Sequence, residues 1–232
     1  MTSDLDNPAW SALTTLQAHL AVGGSLARRY PADIAPIAGI GTRERSSIDE
    51  LCALVPEGDV LSLPGTLEEL APLLPASVKI TLQKRLVQMV GVHQPEVPSS
   101  PSVDTSVLSE VDVPEMLSLV ALTHPGPFRP RTYTLGTYLG IRVDGRLAAM
   151  AGQRMHLPGW REVSAVCTHP ALQGRGYART LIARLVADIR DEGLTPFLHV
   201  EESNVRAQEV YAALGFVERK RLLLLVIEQA SG

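Results

Sequence analysis

The sequence predicts an α/β fold: a mixed sheet flanked by helices, preceded by a smaller α/β lobe. Three observations predict it. An apolar strand at 162–168 leads through a glycine-rich turn into an amphipathic helix. The Asp144-Gly145 pair marks a tight hairpin between two further strands. A second helix, opened by Asn204 and closed by Gly215, follows the next strand. Strands that alternate with helices in this way are typical of layered α/β domains.

The length of the chain and a proline- and serine-rich segment suggest two parts. The chain has 232 residues, which is enough for one large domain or two small ones. Residues 94–106 are rich in proline and serine and have no apolar periodicity, as in an interdomain linker. We therefore expect an N-terminal α/β lobe over 1–95, a linker over 96–106 and a second domain over 107–232.

Within the N-terminal lobe the pattern is mixed, and no chemical motif is apparent. It predicts a helix over 10–21, a strand at 60–63, a short helix opened by the capping box Thr66-x-x-Glu69 and limited by Pro75, and a strand at 78–82.

After the linker the order of elements is clearer. The pattern predicts a strand at 107–108, a helix over 113–122 capped by Asp112, a proline-rich loop at 124–131, strands at 138–143, 146–154 and 162–168, a helix ending before Gly193, a strand at 195–201, a helix from Asn204, and a last strand pair at 216–219 and 222–228.

The turn before the first long helix has the properties of a phosphate cradle. The first amides of a helix lack intrahelical acceptors and lie at the positive end of the dipole. Gly174 and Gly176 leave those amides uncovered, and Arg175 and Arg179 add positive charge. The motif differs from a P-loop and from a dinucleotide fingerprint in the residues that follow its last glycine. Taken alone, it is also compatible with a turn that only starts a helix.

A second motif follows at Asn204-x-x-Ala207-x-x-x-Tyr211-x-x-Leu-Gly-Phe216. Its first three named residues share one helix face, and the small Ala207 lets a ligand lie close to that face. Together with Gln173-x-x-Gly176-x-Ala178, this segment resembles the GNAT superfamily of acyltransferases, most clearly over residues 133–228.

The resemblance implies an acyl-CoA-dependent N-acyltransferase, with acetyl-CoA as donor and the amine of a small molecule or peptide as direct acceptor. It also implies cofactor contacts at Val166, Cys167, Thr168, Gln173, Gly174, Arg175, Gly176, Tyr177, Ala178, Arg179, Asn204, Ala207 and Tyr211. In this family the backbone of the strand before the cradle pairs with the pantetheine arm, so we do not expect Cys167 to be a nucleophile.

Three side chains are candidates for the chemistry. An alkylammonium must lose a proton before its nitrogen can attack a thioester, so a general base is useful. Family analogy makes Tyr211 the candidate general acid; the alternative is a core tyrosine with a hydrogen-bonded hydroxyl. Glu162 is a candidate base, because it begins the central strand and by alternation shares a face with Val166. Glu201, at the end of the neighbouring strand, is the other candidate; for both carboxylates an ordinary solvated strand end is the alternative. His199 is predicted to be a hydrogen-bonded core histidine.

Family analogy also places acceptor specificity in two loops, 124–131 and 155–160. Phe128 and Trp160 are expected to wall an apolar pocket, and Arg129 or Arg131 to hold an acceptor carboxylate; the alternative is a loop that exposes a few apolar residues. Two alternatives stay open: a catalytically inactive module that senses acyl-CoA, and a two-lobed arrangement resembling glycine N-acyltransferases.

Composition excludes several other classes. The net charge of −4 argues against a nucleic-acid partner, and the longest apolar run, 222–227, is too short to span a bilayer. The chain starts without a signal-peptide pattern, and Cys52 and Cys167 lie in apolar segments. We therefore expect free thiols, a cytoplasmic protein without a metal, and leave a homodimer open.

Overall fold

The computed structural model describes residues 3–93 and 104–230, and it shows the predicted α/β architecture. The helices are α1 (Pro8–Thr14), α2 (Arg45–Ala53), α3 (Leu67–Leu70), α4 (Val113–Thr123), α5 (Tyr177–Asp191) and α6 (Val205–Ala213). The strands are β1 (Val22–Gly23), β2 (Ala27–Arg29), β3 (Ala38–Ile40), β4 (Val60–Pro64), β5 (Val78–Gly91), β6 (Thr105–Val107), β7 (Tyr138–Val143), β8 (Arg146–Leu157), β9 (Trp160–Thr168), β10 (Thr195–Glu201) and β11 (Phe216–Gln229).

These strands form a small sheet and a large one. The small sheet has the order β1-β2-β3. The large sheet has eight strands in the order β4-β11-β5-β10-β9-β8-β7-β6. In the described part of the chain its neighbouring strands are antiparallel except for β9 and β10, which run parallel, so the sheet is mixed as predicted.

The large sheet includes strands from both sides of the predicted domain boundary. β4 and β5 come from residues 1–95, and β5 lies between β10 and β11. Residues 94–103 of the predicted linker region lie outside the described residues. The strand predicted at 107–108 is observed at Thr105–Val107, so the end of the predicted linker is part of the sheet. The two predicted parts therefore share one sheet.

Each face of the large sheet is covered by different elements. On one face, Val163 and Leu198 pack in a core with Leu185 of α5. On the opposite face, Phe197 packs in a second core with Leu5 and other residues of the N-terminal region. The two helices that carry the predicted cofactor motifs, α5 and α6, thus lie on the side of the sheet opposite the N-terminal segment.

β9 contains a bulge that changes which face its side chains occupy. Between two paired positions, the single residue Ala151 of β8 lies opposite Ala165 and Val166 of β9, and Ala165 has a φ of 51°. Val163 packs on the α5 side, whereas Cys167 packs in the core that contains α4. Because the extra residue breaks the alternation, Glu162 and Val166 face opposite sides of the sheet. The prediction that they share a face was wrong.

Three predicted elements have different limits in the structure. The helix predicted over 10–21 is the shorter α1, whose last turn has Thr14 and Thr15 hydroxyls bonded to backbone carbonyls. The strand predicted at 78–82 continues to Gly91 as β5. The last strand pair is the single strand β11, irregular between Glu218 and Lys220, because the segment lacks a residue that favours a tight turn.

Several local predictions are confirmed. The hairpin residues Asp144 and Gly145 have φ values of 50° and 77°, as a two-residue turn with left-handed residues requires. Asn204 Oδ1 accepts a hydrogen bond from the Ala207 amide at 3.1 Å and caps α6. Cys52 and Cys167 are free, although Cys52 is only partly buried. Asp112 makes no cap bond to α4.

Candidate functional site

A cavity of about 1750 Å³ opens where β9 and β10 separate. The two strands pair only between Thr195–Phe197 and Trp160–Glu162, and beyond these residues β10 pairs with β5 alone. Residues 163–168 line one side of the gap and 199–202 the other. A pocket for one small ligand usually measures roughly 300–1,000 Å³, so this cavity has room for two ligands in contact.

All of the predicted cofactor residues line this cavity. They are Val166, Cys167, Thr168, Gln173, Gly174, Arg175, Gly176, Tyr177, Ala178, Arg179, Asn204, Ala207 and Tyr211. They come from β9, the turn before α5, α5 itself and α6. Of the two candidate bases, Glu201 also lines the cavity and Glu162 does not.

The turn at the start of α5 presents uncapped amides to the cavity. Gly176 is the N-cap residue with a φ of 82° and provides no side-chain cap. The first intrahelical bond runs from the Thr180 amide to the Gly176 carbonyl at 3.0 Å, so the first-turn amides have no helical acceptor. A Cβ atom built at Gly174 or Gly176 would meet no atom within 4 Å. The uncapped amides, the dipole and the flanking Arg175 fit a diphosphate group.

α6 lies beside this turn and carries the predicted general acid. Arg206 Nη1 donates to Gln173 Oε1 at 3.4 Å, which joins α6 to the cradle. Tyr211 is 9% exposed and packs edge-to-face on Phe216, with ring centroids 6.1 Å apart. Burial raises the pKa of the Tyr211 phenol to about 12. A phenol with that pKa stays protonated at neutral pH, which is the state that a proton donor needs.

The Cys167 thiol also lines the cavity, but its environment does not activate it. The side chain is buried, and desolvation raises the pKa of Cys167 to about 11. A reactive cysteine needs a lowered pKa, because the nucleophile is the thiolate and not the thiol. This agrees with the prediction that Cys167 is not a nucleophile.

Glu162 is held in a buried ion pair away from the cavity. Its carboxylate accepts hydrogen bonds from Arg154 Nε and Nη2, both at 2.8 Å, and from the Met155 amide at 3.3 Å. His199 Nδ1 is also 2.8 Å from it. Burial raises the pKa of Glu162, but the Arg154 guanidinium outweighs this effect, and the pKa falls to about 2. A saturated carboxylate with that pKa is not placed to remove a proton from an amine, so the structure contradicts this candidate.

His199 is the hydrogen-bonded core histidine that the sequence predicts. Gln88 Nε2 donates to the Leu5 carbonyl at 2.9 Å, and Gln88 Oε1 accepts from Arg219 Nη1 at 2.8 Å. This fixes the amide so that its nitrogen lies 3.0 Å from His199 Nε2. Because that nitrogen is a donor, His199 Nε2 accepts and Nδ1 carries the proton toward Glu162. Neither ring nitrogen is then free to serve as a base.

Glu201 is the candidate base that the cavity can reach. Its side chain is 48% exposed and forms an ion pair with Lys84 of β5. The carboxylate lies at the end of β10, on the opposite side of the gap from the bulge in β9.

Only part of each predicted acceptor loop lines the cavity. Residues 124–129 of the first loop line it, and Phe128 packs edge-to-face on Tyr138 with ring centroids 5.7 Å apart. Arg129 lines the cavity and pairs with Asp59 at 2.6 Å. Trp160 packs against the N-terminal core instead, and Arg131 pairs with Asp33 outside the cavity. Of the loop residues that family analogy names, Phe128 and Arg129 therefore line the cavity, and Trp160 and Arg131 do not.

Sequence reasoning missed two groups of lining residues. Arg154 reaches the cavity from β8, and a charged residue within an apolar strand was the signal that could have identified it. The N-terminal region contributes many others, including Leu5, Ala9, Ile37 and Lys84. No local pattern in that region indicates a site, because the contacts depend on the position of β5 in the sheet.

The described residues show two further features that bear on function. No cluster of three or more His, Cys, Asp or Glu side chains among them could hold a metal ion. None of their helices combines the length and the apolarity needed to cross a membrane.

Comparisons with known proteins agree with this geometry. The model of the FR47-like protein family matches residues 138–224. A GNAT-family protein from Novosphingobium aromaticivorans is 33% identical; the match covers 99% of this chain and 100% of that chain, with a TM-score of 0.87. A GCN5-related N-acetyltransferase from Kribbella flavida is 18% identical over 97% of this chain and 96% of its own, with a TM-score of 0.62, which shows a common fold. A GCN5-related N-acetyltransferase-like protein from Streptococcus suis is similar in fold, with 15% identity, 96% and 94% coverage and a TM-score of 0.62. No curated protein matches the sequence.

Proposed function

This chain belongs to the GNAT family of acetyltransferases, and we propose that it transfers an acetyl group from acetyl-CoA directly to the amine of a small molecule or peptide. The observation that carries the proposal is the cavity at the gap between β9 and β10. It brings the uncapped start of α5, the bulged strand β9 and Tyr211 together in one space.

The α5 side of the sheet is the proposed cofactor side. The diphosphate would lie against the first-turn amides of α5, between Arg175 and Arg179. The backbone of Cys167 and Thr168 would pair with the amide groups of the pantetheine arm. When bound, acetyl-CoA supplies the thioester carbonyl that an amine can attack.

Two side chains at the gap are the proposed proton carriers. Glu201, exposed to the cavity, would take the proton from the acceptor ammonium, directly or through water. Tyr211, kept protonated by burial, would donate a proton to the leaving thiolate. Glu162 would support the site by holding Arg154 and His199 in place.

The opposite side of the sheet is the proposed acceptor side. The cavity continues there between residues 125–129 and the N-terminal segment that contains Leu5 and Ala9. This gives residues 1–95 a role in the acceptor site as well as in the sheet. The free thiols of Cys52 and Cys167 support a reducing, cytoplasmic location.

The direct test is thiol release by the purified full-length chain. Acetyl-CoA would be incubated with separate amines, amino acids and short peptides, and free thiol would be measured with a chromogenic disulfide. We expect thiol release that requires both acetyl-CoA and an acceptor and that yields the N-acetyl product by mass spectrometry. Binding of acetyl-CoA without transfer to any acceptor would contradict the proposal and would favour a sensor module.

A further inference from the structure

Arg154 has a donor that the protein leaves unused. Its guanidinium donates from Nε and Nη2 to the two oxygens of Glu162, both at 2.8 Å. The side chain is 11% exposed and lines the cavity. Nη1 has no hydrogen-bond partner among the described residues, and it is not among the enclosed polar atoms. One end of a mostly buried guanidinium therefore opens into the cavity.

The surrounding residues fix the direction of that donor. Glu162 receives four donors, so its carboxylate cannot turn without losing hydrogen bonds. One of the four is His199, which is held in turn by Gln88. Gln88 is anchored by the Leu5 carbonyl and by Arg219. Hydrogen bonds from several strands and the N-terminal segment thus preorganise Arg154 Nη1.

The free donor lies on the acceptor side of the sheet. Val163 and Leu198 face α5, so their neighbours Glu162 and His199 face the N-terminal region. Arg154 binds Glu162 on that same face. The donor is therefore separated by the sheet from α5, α6 and the phosphate cradle. It can form a hydrogen bond with an acceptor molecule bound on the N-terminal side.

The carboxylates of the cavity are already paired. Among the described lining residues, each of the four acidic side chains has a cationic partner: Asp6 with Arg219 and Lys220, Glu69 with Arg43, Glu201 with Lys84, and Glu202 with Arg85 and Arg221. A polyamine or an aminoglycoside needs carboxylates for its additional ammonium groups. Every acidic side chain among the described lining residues is already paired, so none is free to bind those ammonium groups.

We infer that the acceptor is an amine with a neighbouring carboxylate, as in an α-amino acid, and that Arg154 determines this specificity by binding the carboxylate through Nη1. The inference rests on the proposed transfer reaction and names its acceptor class. An Arg donor suits this role because its charge is permanent and its geometry matches a carboxylate.

A matched acceptor series tests the inference in the wild-type chain. L-alanine, L-alaninamide and ethylamine differ in the group beside the amine, and spermidine represents a polyamine. With acetyl-CoA saturating, we expect kcat/KM for L-alanine to exceed that for ethylamine by roughly 10- to 100-fold, the range of a charge-assisted hydrogen bond. Equal rates for the three matched amines, or a preference for spermidine, would overturn the inference.

Variants of Arg154 test the residue. Arg154→Lys keeps a charge for Glu162 but lacks the second arm of the guanidinium, so we expect the preference for L-alanine to fall to within a few-fold of ethylamine. A double variant, Arg154→Met with Glu162→Gln, removes both buried charges. It replaces the lysine variant if that variant does not fold, and the same loss of preference for L-alanine is expected. Arg131→Lys is the control, because Arg131 also pairs with a carboxylate but lies outside the cavity.

Acetyl-CoA binding separates the possible failures. If the variants bind acetyl-CoA normally and keep the wild-type preference, Arg154 is not the specificity residue. If the wild type transfers acetyl groups without preferring carboxylate-bearing amines, the acceptor class is wrong and the proposed reaction stands. If it binds acetyl-CoA but acetylates no amine, the proposed reaction fails and this inference fails with it.

Discussion

Replacement of Glu162 by glutamine should reduce stability strongly and leave the pH optimum of the reaction unchanged. The change leaves the buried Arg154 guanidinium without its carboxylate and weakens the bond from His199. Breaking a buried ion pair by removing one partner costs about 3–5 kcal/mol. The pKa of Glu162 gives a similar figure, because the difference between the ordinary 4.5 and about 2 corresponds to about 3 kcal/mol. A loss of about 3–5 kcal/mol lowers Tm by roughly 6–20 °C in a chain of this length.

The pH dependence of unfolding provides a second readout. Because folding lowers the pKa of Glu162, its contribution is present above pH 4.5 and is lost as the pH falls toward about 2. The Glu162→Gln variant should lack this part of the acid dependence. Urea unfolding at several pH values would measure it, with Glu201→Gln as control, since an exposed pair contributes about 1 kcal/mol or less.

One combination of results would contradict the structural role of Glu162. If Glu162→Gln unfolded at the wild-type urea concentration and moved the pH optimum upward, Glu162 would act as a base and not as the anchor of Arg154. A second double variant, Arg154→Met with Glu162→Leu, should recover much of the lost stability, because an apolar pair of similar volume avoids the buried charge.

Four further outcomes are expected. Acetyl-CoA should raise Tm of the wild type, and Gly176→Val should abolish the rise, whereas Gly193→Val, with a similar positive φ and equally open surroundings away from the cavity, should keep it. Tyr211→Phe should lower kcat by about 10²–10⁴ with acetyl-CoA affinity nearly unchanged in titration calorimetry; unchanged kcat would exclude the acid role. Glu201→Gln should move the optimum of the pH–rate profile upward, because more of the amine must then lose its proton in solution. Limited proteolysis should cut first within 94–104, before the start of β6, and the two products should co-elute in gel filtration because β5 pairs with both β10 and β11. Products that separate, with the C-terminal product binding acetyl-CoA alone, would contradict this.

The sequence predicted the features that depend on local patterns. The cradle before α5 and the capped start of α6 are short motifs whose residue types are required by backbone geometry. The residues predicted to contact the cofactor therefore line one cavity. Glu201 was also identified correctly as a strand-end carboxylate near the gap.

The sequence could not predict the features that depend on long-range pairing. The bulge at Ala165 reverses the face of Glu162 relative to Val166, and alternation alone gives no sign of it. Glu162 on β9 pairs with Arg154 on β8 and with His199 on β10. Because these partners come from different strands, no local sequence pattern distinguishes this buried carboxylate from a solvated one. Likewise, the position of β5 follows from its partners and not from its own composition.

The position of β5 also has a consequence for how the chain reaches its native state. Gly91 lies opposite Phe216, so the pairing of β5 with β11 closes a loop of more than 120 residues. Contacts of such long sequence separation slow folding, because the loop entropy is lost before the contacts form. On the ribosome, β5 emerges long before its partners β10 and β11, so its apolar residues stay unpaired until those strands have been synthesised. We therefore expect the large sheet to form only after β11 has left the ribosome, and the nascent chain to expose aggregation-prone apolar surface until then.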